Sequence, residues 1–163
     1  MKSSYLVVST FAVLLLFGVQ GASAFPSPTD ASGTFPPTTT LYVKVTSPVS
    51  FDILSIGPIT GTFAGFYTAT GSVVESSIGA NYTATDTCFC SVTTKTGTYV
   101  GVTVFSETGT VIATSETSGV LSSVAFIVFS TIPGLSGYVD FSGTTNLTTF
   151  TDSGSYTGQI LVR

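Results

Sequence analysis

Histidine and tryptophan are absent from the 163 residues, charged side chains make up only 7%, and Lys and Arg together number four. Each shortage closes off a class of function. Without histidine there is no Ser-His-Asp or Cys-His nucleophile, no His-ligated zinc and no unperturbed side chain that titrates near neutrality. Four basic residues against eight acidic ones leave no basic patch, so no nucleic-acid partner is expected. The two cysteines, in Cys88-Phe89-Cys90, cannot complete a zinc set without histidine, and no D-x-D-x-D calcium loop occurs. No metal and no cofactor are expected. What the chain does have is apolar surface: 43% hydrophobic residues, with 13 Phe and 7 Tyr, are enough to fold one domain rather than a disordered tail.

The N-terminus carries an address. Lys2 precedes an apolar run from Leu6 to Val19, and Ala22-Ser23-Ala24 is a small-x-small cleavage site. The run is shorter than the roughly 20 residues that span a bilayer, so residues 1–24 are expected to be a secretory signal peptide cut after Ala24. The segment Gln159–Arg163 has no hydrophobic tail of the glycolipid-anchor kind, and a secreted, extracellular product with no membrane anchor is expected. Asn81-Tyr82-Thr83 and Asn146-Leu147-Thr148 are sequons, which makes an N-linked glycoprotein the expectation at Asn81 and Asn146. An oxidising compartment favours a disulfide between Cys88 and Cys90. Residues i and i+2 of an extended strand stand about 6.5 Å apart, near the upper limit for an unstrained bridge. A local bridge, an intermolecular bridge and free thiols all stay open.

Residues 25–40 collect four of the seven prolines with Ser, Thr and Gly, a composition that predicts a flexible leader ahead of a domain over 41–163. From Leu41 onward no segment has the apolar spacing of an amphipathic helix, and Val, Ile, Phe, Tyr and Thr favour a pleated sheet. Turn residues divide the rest into eight or nine strands: Leu41–Val45, Val49–Ile56, Thr62–Val74, Tyr82–Thr94, Thr98–Phe105, Thr110–Ser115, Val120–Ser130, Gly137–Phe141 and Ser155–Leu161. Glycines inside strands, among them Gly61, Gly65, Gly71, Gly101 and Gly109, suit strong coiling. The expected fold is all-β, a small antiparallel eight-stranded β-barrel, with a β-sandwich as the alternative. Val124 to Phe129 is apolar on both faces, which marks a surface for a homo-oligomer or an internal cover.

Phe89-Cys90-Ser91-Val92-Thr93-Thr94-Lys95-Thr96-Gly97-Thr98-Tyr99-Val100-Gly101, followed by Val104-Phe105 and the turn-like Thr108-Gly109-Thr110, resembles a pattern of the allene oxide cyclase barrel superfamily. The resemblance is to its short bacterial-type members and, more distantly, to dirigent-like proteins. Ile59-Thr60-Gly61-Thr62-Phe63-Ala64-Gly65 and Pro133-Gly134-Leu135-Ser136-Gly137 resemble two further segments in the same order, so the likeness covers about residues 41–162. Ser130-Thr131-Ile132 stands where the group usually has Gly-Thr-Gly, and Arg163 is the only arginine. The resemblance implies the barrel and no catalytic residue.

Candidate chemistry is thin. The acidic residues after the signal peptide are Asp30, Asp52, Glu75, Asp86, Glu107, Glu116, Asp140 and Asp152, mostly beside Gly, Ser or Thr, where solvated turns are the plain expectation. Ser106-Glu107-Thr108 and Ser115-Glu116-Thr117 form a near repeat that a hairpin would bring together as a carboxylate pair. Thr-x-Thr pairs such as Thr68-Thr70 and Thr83-Thr85-Thr87 suit the wet face of strands, or a flat binding surface. Tyr67, Tyr82, Tyr99, Tyr138 and Tyr156 suit either core or the lining of a groove. The reading leans away from an enzyme. It favours a secreted barrel that binds a surface or partner or has a structural role, with a small apolar-ligand carrier or a cyclase- or dirigent-like enzyme as alternatives.

Overall fold

The computed structural model describes residues 26–163, so the signal segment and the Ala24 cleavage site lie outside the described residues. Nine strands and no helix follow: β1 (Thr29–Phe35), β2 (Thr39–Ser47), β3 (Ser50–Gly61), β4 (Phe63–Ser76), β5 (Gly79–Thr94), β6 (Gly97–Ala113), β7 (Ser118–Ser130), β8 (Ser136–Asn146) and β9 (Thr151–Leu161). From β3 to β9 each strand pairs antiparallel with the next. β1 then runs along β9, from Thr29↔Ile160 to Phe35↔Gly154, and meets β3 at Gly33↔Gly61 and Thr34↔Thr60. That second contact closes eight strands into a barrel and excludes the sandwich.

The seam is narrow because it is built on glycine. A Cβ on Gly33 would collide with the Thr60 carbonyl and the Tyr156 ring, and Gly61 sits at φ +98°, where side chains are strained. The Tyr156 hydroxyl fastens the seam from inside. It accepts a hydrogen bond from the Phe63 amide at 2.8 Å and donates to the Thr60 carbonyl at 2.9 Å. Burial pushes this phenol up to about 12, against the lowering effect of its backbone partners at Phe63 and Thr62.

The segment 25–40 is not a leader, since Thr29–Phe35 forms a wall of the barrel with Ala31 and Phe35 buried. Its prolines bracket the strand at positions 26, 28, 36 and 37 without interrupting it, and proline is tolerated outside the ladder. Past Pro36-Pro37 the chain keeps its direction but changes partner. β2 pairs with the first half of β3, from Thr39↔Ile56 to Ser47↔Ser50, and lies outside the closed barrel with Leu41, Tyr42 and Val45 exposed.

A second correction concerns Thr98–Phe105 and Thr110–Ser115, which are one strand, β6. Thr108-Gly109-Thr110 lies within its ladder and makes no turn. Gly109 is there for space, since a Cβ would strike the Ser123 side chain and the Tyr82 ring. The alternating Val100, Val102 and Val104 face outward, with Val100 84% exposed.

Val124–Phe129 divides unevenly. Ala125 is buried and Ile127 packs against the core, whereas Phe126, Val128 and Phe129 are exposed. The cause is a bulge: Phe105 pairs with Ile127 and Val104 with Phe129, which leaves Val128 without a partner and turns Phe129 outward.

At the end of the barrel where β4, β6, β8 and β1 begin, the interior is filled. Ile59, Phe63, Val92, Phe105, Ala125, Val139, Tyr156 and Ile160 form one buried cluster. Cys88 and Cys90 belong to it and are joined by a disulfide, with Cα atoms 5.5 Å apart. Aromatic rings step inward from this plug. Phe105 meets Phe63 edge-on at 5.4 Å, Phe63 meets Tyr156, Tyr156 meets Phe141 at 5.8 Å, and Phe141 meets Phe35 at 5.4 Å.

Candidate functional site

Beyond Phe35 and Phe141 the inward positions become small: Ala69 and Gly71 on β4, Ala84 on β5, Gly109 on β6, Gly143 on β8 and Gly154 on β9. Strand pairing continues unbroken past them, so the wall stays intact while the interior empties. A cavity of about 320 Å³ opens at this end. Its walls are apolar, formed by Phe51, Ile53, Val73, Leu121, Leu147 and Phe150, and its rim carries Glu75 and Glu116. Phe150 stands in the β8–β9 turn at φ 52°, its ring tilted against that of Phe51 with centroids 5.0 Å apart and its carbonyl accepting a hydrogen bond from the Thr40 hydroxyl. Positive φ at a bulky residue is uncommon and costs energy that the surrounding contacts must offset.

The floor is polar. Tyr82, Thr145 and Asp152 lie at the base of the mouth, and beneath them is a chamber of about 50 Å³ lined by Ser55, Tyr67, Asp86 and Glu107. Ile53, Tyr82, Leu121 and Asp152 line both spaces, which makes the chamber the deep end of the mouth. Four strands supply the titratable groups: Tyr67 from β4, Tyr82 and Asp86 from β5, Glu107 from β6 and Asp152 from β9.

Hydrogen bonds hold part of this cluster in place. The Tyr82 hydroxyl donates to Glu107 Oε1 at 2.6 Å, and the Ser123 hydroxyl donates to the same oxygen. The Thr145 hydroxyl donates to Asp152 Oδ1 at 2.6 Å. The backbone of Asp152 is fixed in turn, its amide donating to Thr38 Oγ1 and its carbonyl accepting from the Thr38 amide, each at 3.0 Å. Two atoms are left over. Asp86 Oδ1 and Ser55 Oγ, on residues 4% and 3% exposed, have no hydrogen-bond partner, although both residues line the chamber. A buried polar atom without a partner costs about 1–3 kcal/mol, a cost that a bound water, ion or ligand group would relieve.

Burial also controls protonation. Asp86 lies well above the usual carboxylate range, first because it is desolvated, then because of the charge and hydrogen bonding of Glu107 beside it. Asp152 is pushed up to about 6 by burial, with the Thr145 hydrogen bond opposing the shift and the Glu107 charge adding to it. The Tyr67 and Tyr82 phenols are raised by burial and by neighbouring carboxylates, chiefly Asp86 for Tyr67 and Glu107 for Tyr82, and stay neutral donors. Among the described residues no group of three or more His, Cys, Asp or Glu is placed to hold a metal ion.

Asn81 and Asn146 are exposed at the open end, as the third residue of β5 and the last residue of β8, next to the mouth-lining pairs Ala80/Tyr82 and Thr145/Leu147. The Asn146 side chain accepts from the Thr148 and Thr149 amides. Glu107 and Glu116 do not form a hairpin pair, because Glu107 is inside the barrel and Glu116 sits on the rim in the β6–β7 connection. Asp86, Glu107 and Asp152 are interior groups, not turn residues. They lie on long strands whose inward parity is set by apolar neighbours such as Cys88 and Phe105. Of the tyrosines, Tyr67 and Tyr82 line the cavity, Tyr156 is core and Tyr138 is partly exposed. The Thr-x-Thr pairs face outward, in cross-strand rows such as Thr70↔Thr85↔Ser106. Comparison with protein-family models, curated proteins and solved structures finds no match for the chain.

Proposed function

We propose that this is a secreted ligand-binding barrel whose open half holds one small, mainly apolar molecule with a polar end directed at the floor. The carrying observation is the continuity of an apolar-walled cavity of about 320 Å³ with a chamber that contains two buried, unpartnered polar atoms. Pockets with apolar walls and a few convergent polar groups are the usual form of small-molecule sites. Secretion is supported by Leu6–Val19 with Ala22-Ser23-Ala24, by the Cys88–Cys90 bridge and by two exposed sequons at Asn81 and Asn146. An eight-stranded barrel is also the fold that the resemblance to allene oxide cyclase barrels implies.

The test is saturable binding of the neutral fluorophore N-phenyl-1-naphthylamine. One molecule should bind per barrel, and Val73→Trp or Leu147→Trp, which fill the mouth, should abolish binding while the thermal midpoint changes little. Absence of saturable binding, or undiminished binding to both filled variants, would overturn the proposal.

A second reading, acid–base catalysis on the bound molecule, is favoured by one observation. Asp86 is a buried carboxyl whose pKa is raised well above the usual range by desolvation, and it lies beside Glu107, an acceptor that already takes hydrogen bonds from Tyr82 and Ser123. This reading requires conversion of a bound compound. Recovery of every bound compound unchanged after prolonged incubation, checked by mass spectrometry, removes it.

A further inference from the structure

We infer that the polar end of the ligand is a cation, an alkylammonium group seated in the chamber between Asp86 and Ser55. This inference rests on the proposed ligand-binding role and names the class of molecule bound.

The argument starts from charge. Three carboxyl groups line the mouth, Glu75 and Glu116 at its rim and Asp152 at its floor, and Asp86 and Glu107 line the chamber below. Among the described residues the basic side chains are Lys44, Lys95 and Arg163, and none lines either space. Lys44 sits on β2 opposite Asp52, Lys95 in the β5–β6 turn at the plugged end, and Arg163 after β9. A closed, weakly solvated space lined by carboxyl groups of one sign attracts a cation and repels a carboxylate.

A second observation concerns hydrogen bonding. Asp86 Oδ1 and Ser55 Oγ accept no hydrogen bond, and three hydroxyls near the floor are already committed, Tyr82 and Ser123 to Glu107 and Thr145 to Asp152, while the Tyr67 phenol lines the chamber beside them. An ammonium group brings three donors, which Asp86 Oδ1 and the Ser55 Oγ lone pairs are free to accept. The chamber, at about 50 Å³, takes a group of that size, since one water occupies roughly 30 Å³ of liquid. The alkyl part then extends past Leu121 and Ile53 toward the Phe51–Phe150 pair.

Proton linkage follows from the same neighbours. Asp86 is faced by Tyr67 from β4, Glu107 from β6 and Asp152 from β9, with Tyr82 on its own strand and Glu75 and Glu116 above. A bound ammonium favours the ionised forms of Asp86 and Asp152, so amine binding releases protons and tightens as pH rises from about 5 to 8.

The experiment uses the secreted protein and three six-carbon probes with different polar ends, hexylamine, 1-hexanol and hexanoate, titrated calorimetrically at pH 7.5. Hexylamine should bind at least tenfold tighter than 1-hexanol, hexanoate should be the weakest, and the amine preference should shrink at pH 5. Asp86→Asn should cut the preference for hexylamine over 1-hexanol to about threefold or less. If the alcohol or the carboxylate binds as tightly as the amine, the cation inference fails and the binding pocket stands. If none of the three binds, both fail. Should Asp86→Asn not fold, the head-group series on the unaltered protein still decides between these outcomes.

Discussion

In the plugged half of the barrel the inward positions of β4, β5, β6 and β9 carry Phe63, Cys90, Phe105 and Tyr156; farther along the same strands they carry Gly71, Ala84, Gly109 and Gly154. Backbone pairing is continuous through both halves. The cavity therefore comes from side-chain volume at a fixed parity and not from any change in strand arrangement. The plug is mainly apolar, and its fully buried hydroxyls are paired, Tyr156 with backbone at the seam and Thr103 with Ser130 Oγ. The open half gathers five carboxyl groups and leaves two polar atoms unpaired. One half carries the stability, and the other spends some of it on a site.

The largest expected effect separates the halves directly. Phe63→Ala, which empties the centre of the plug, should destabilise by about 3–5 kcal/mol in urea unfolding. Leu147→Ala at the mouth should cost less than about 1 kcal/mol. Equal losses would mean that the mouth is part of the core and the comparison is wrong.

Next comes pH, which should act through the open half alone. The folded-state value for Asp152 is raised from 3.8 to about 6, so its contribution is fully present below about pH 4 and is lost as pH rises through 6. For this group the loss is on the order of 2 kcal/mol, and Asp86, shifted in the same direction, extends the decline to higher pH. The thermal midpoint should fall between pH 4.5 and 7.5, and Asp86→Asn with Asp152→Asn should flatten the fall. A midpoint that rises over this range would show that the floor is solvated.

A subtler contrast uses the two buried phenols. Tyr156→Phe leaves the Phe63 amide without its partner in the plug and should cost about 1–3 kcal/mol. Tyr82→Phe should cost under about 1 kcal/mol, because Ser123 still donates to Glu107. The smallest effects belong to the outer wall. Phe126→Thr, Val128→Thr and Phe129→Thr should each change stability by no more than about 0.5 kcal/mol. If the protein self-associates, the triple variant should lower its mass by light scattering. A wild type that is monomeric at every concentration removes the oligomer from consideration.

Much of the wall was legible in the sequence, because β-branched and aromatic runs between turn residues are local signals. What failed was also local. The prolines at 26, 28, 36 and 37 concealed β1 because composition over a window cannot tell a proline inside a strand from one at its edge. Gly109 was read as a turn because a glycine required by a neighbouring Tyr82 ring looks the same in sequence as one required by a bend. The site was not legible. Asp86, Glu107 and Asp152 meet only through strand register and barrel closure, and beside Ser and Thr each passes for a surface residue. A sharper signal did exist: Asp86 is two residues before Cys88 and Glu107 two after Phe105, so period-two alternation places both carboxylates on the buried face.

The order in which the walls meet bears on how the chain reaches its fold. β3 to β9 extend hairpin by hairpin, each strand finding its partner through a short turn, and such contacts form early and at low entropic cost. β1 is made first and pairs last, since its long ladder is with β9 near the other end of the chain. During synthesis it must wait while the sheet grows with open edges on the end of β3 that β2 leaves uncovered and on the newest strand. Those edges become safe only when Gly33 reaches Gly61 and Tyr156 locks the joint, so the rate of that one late closure sets how long the nascent barrel is exposed to edge-to-edge pairing with its neighbours.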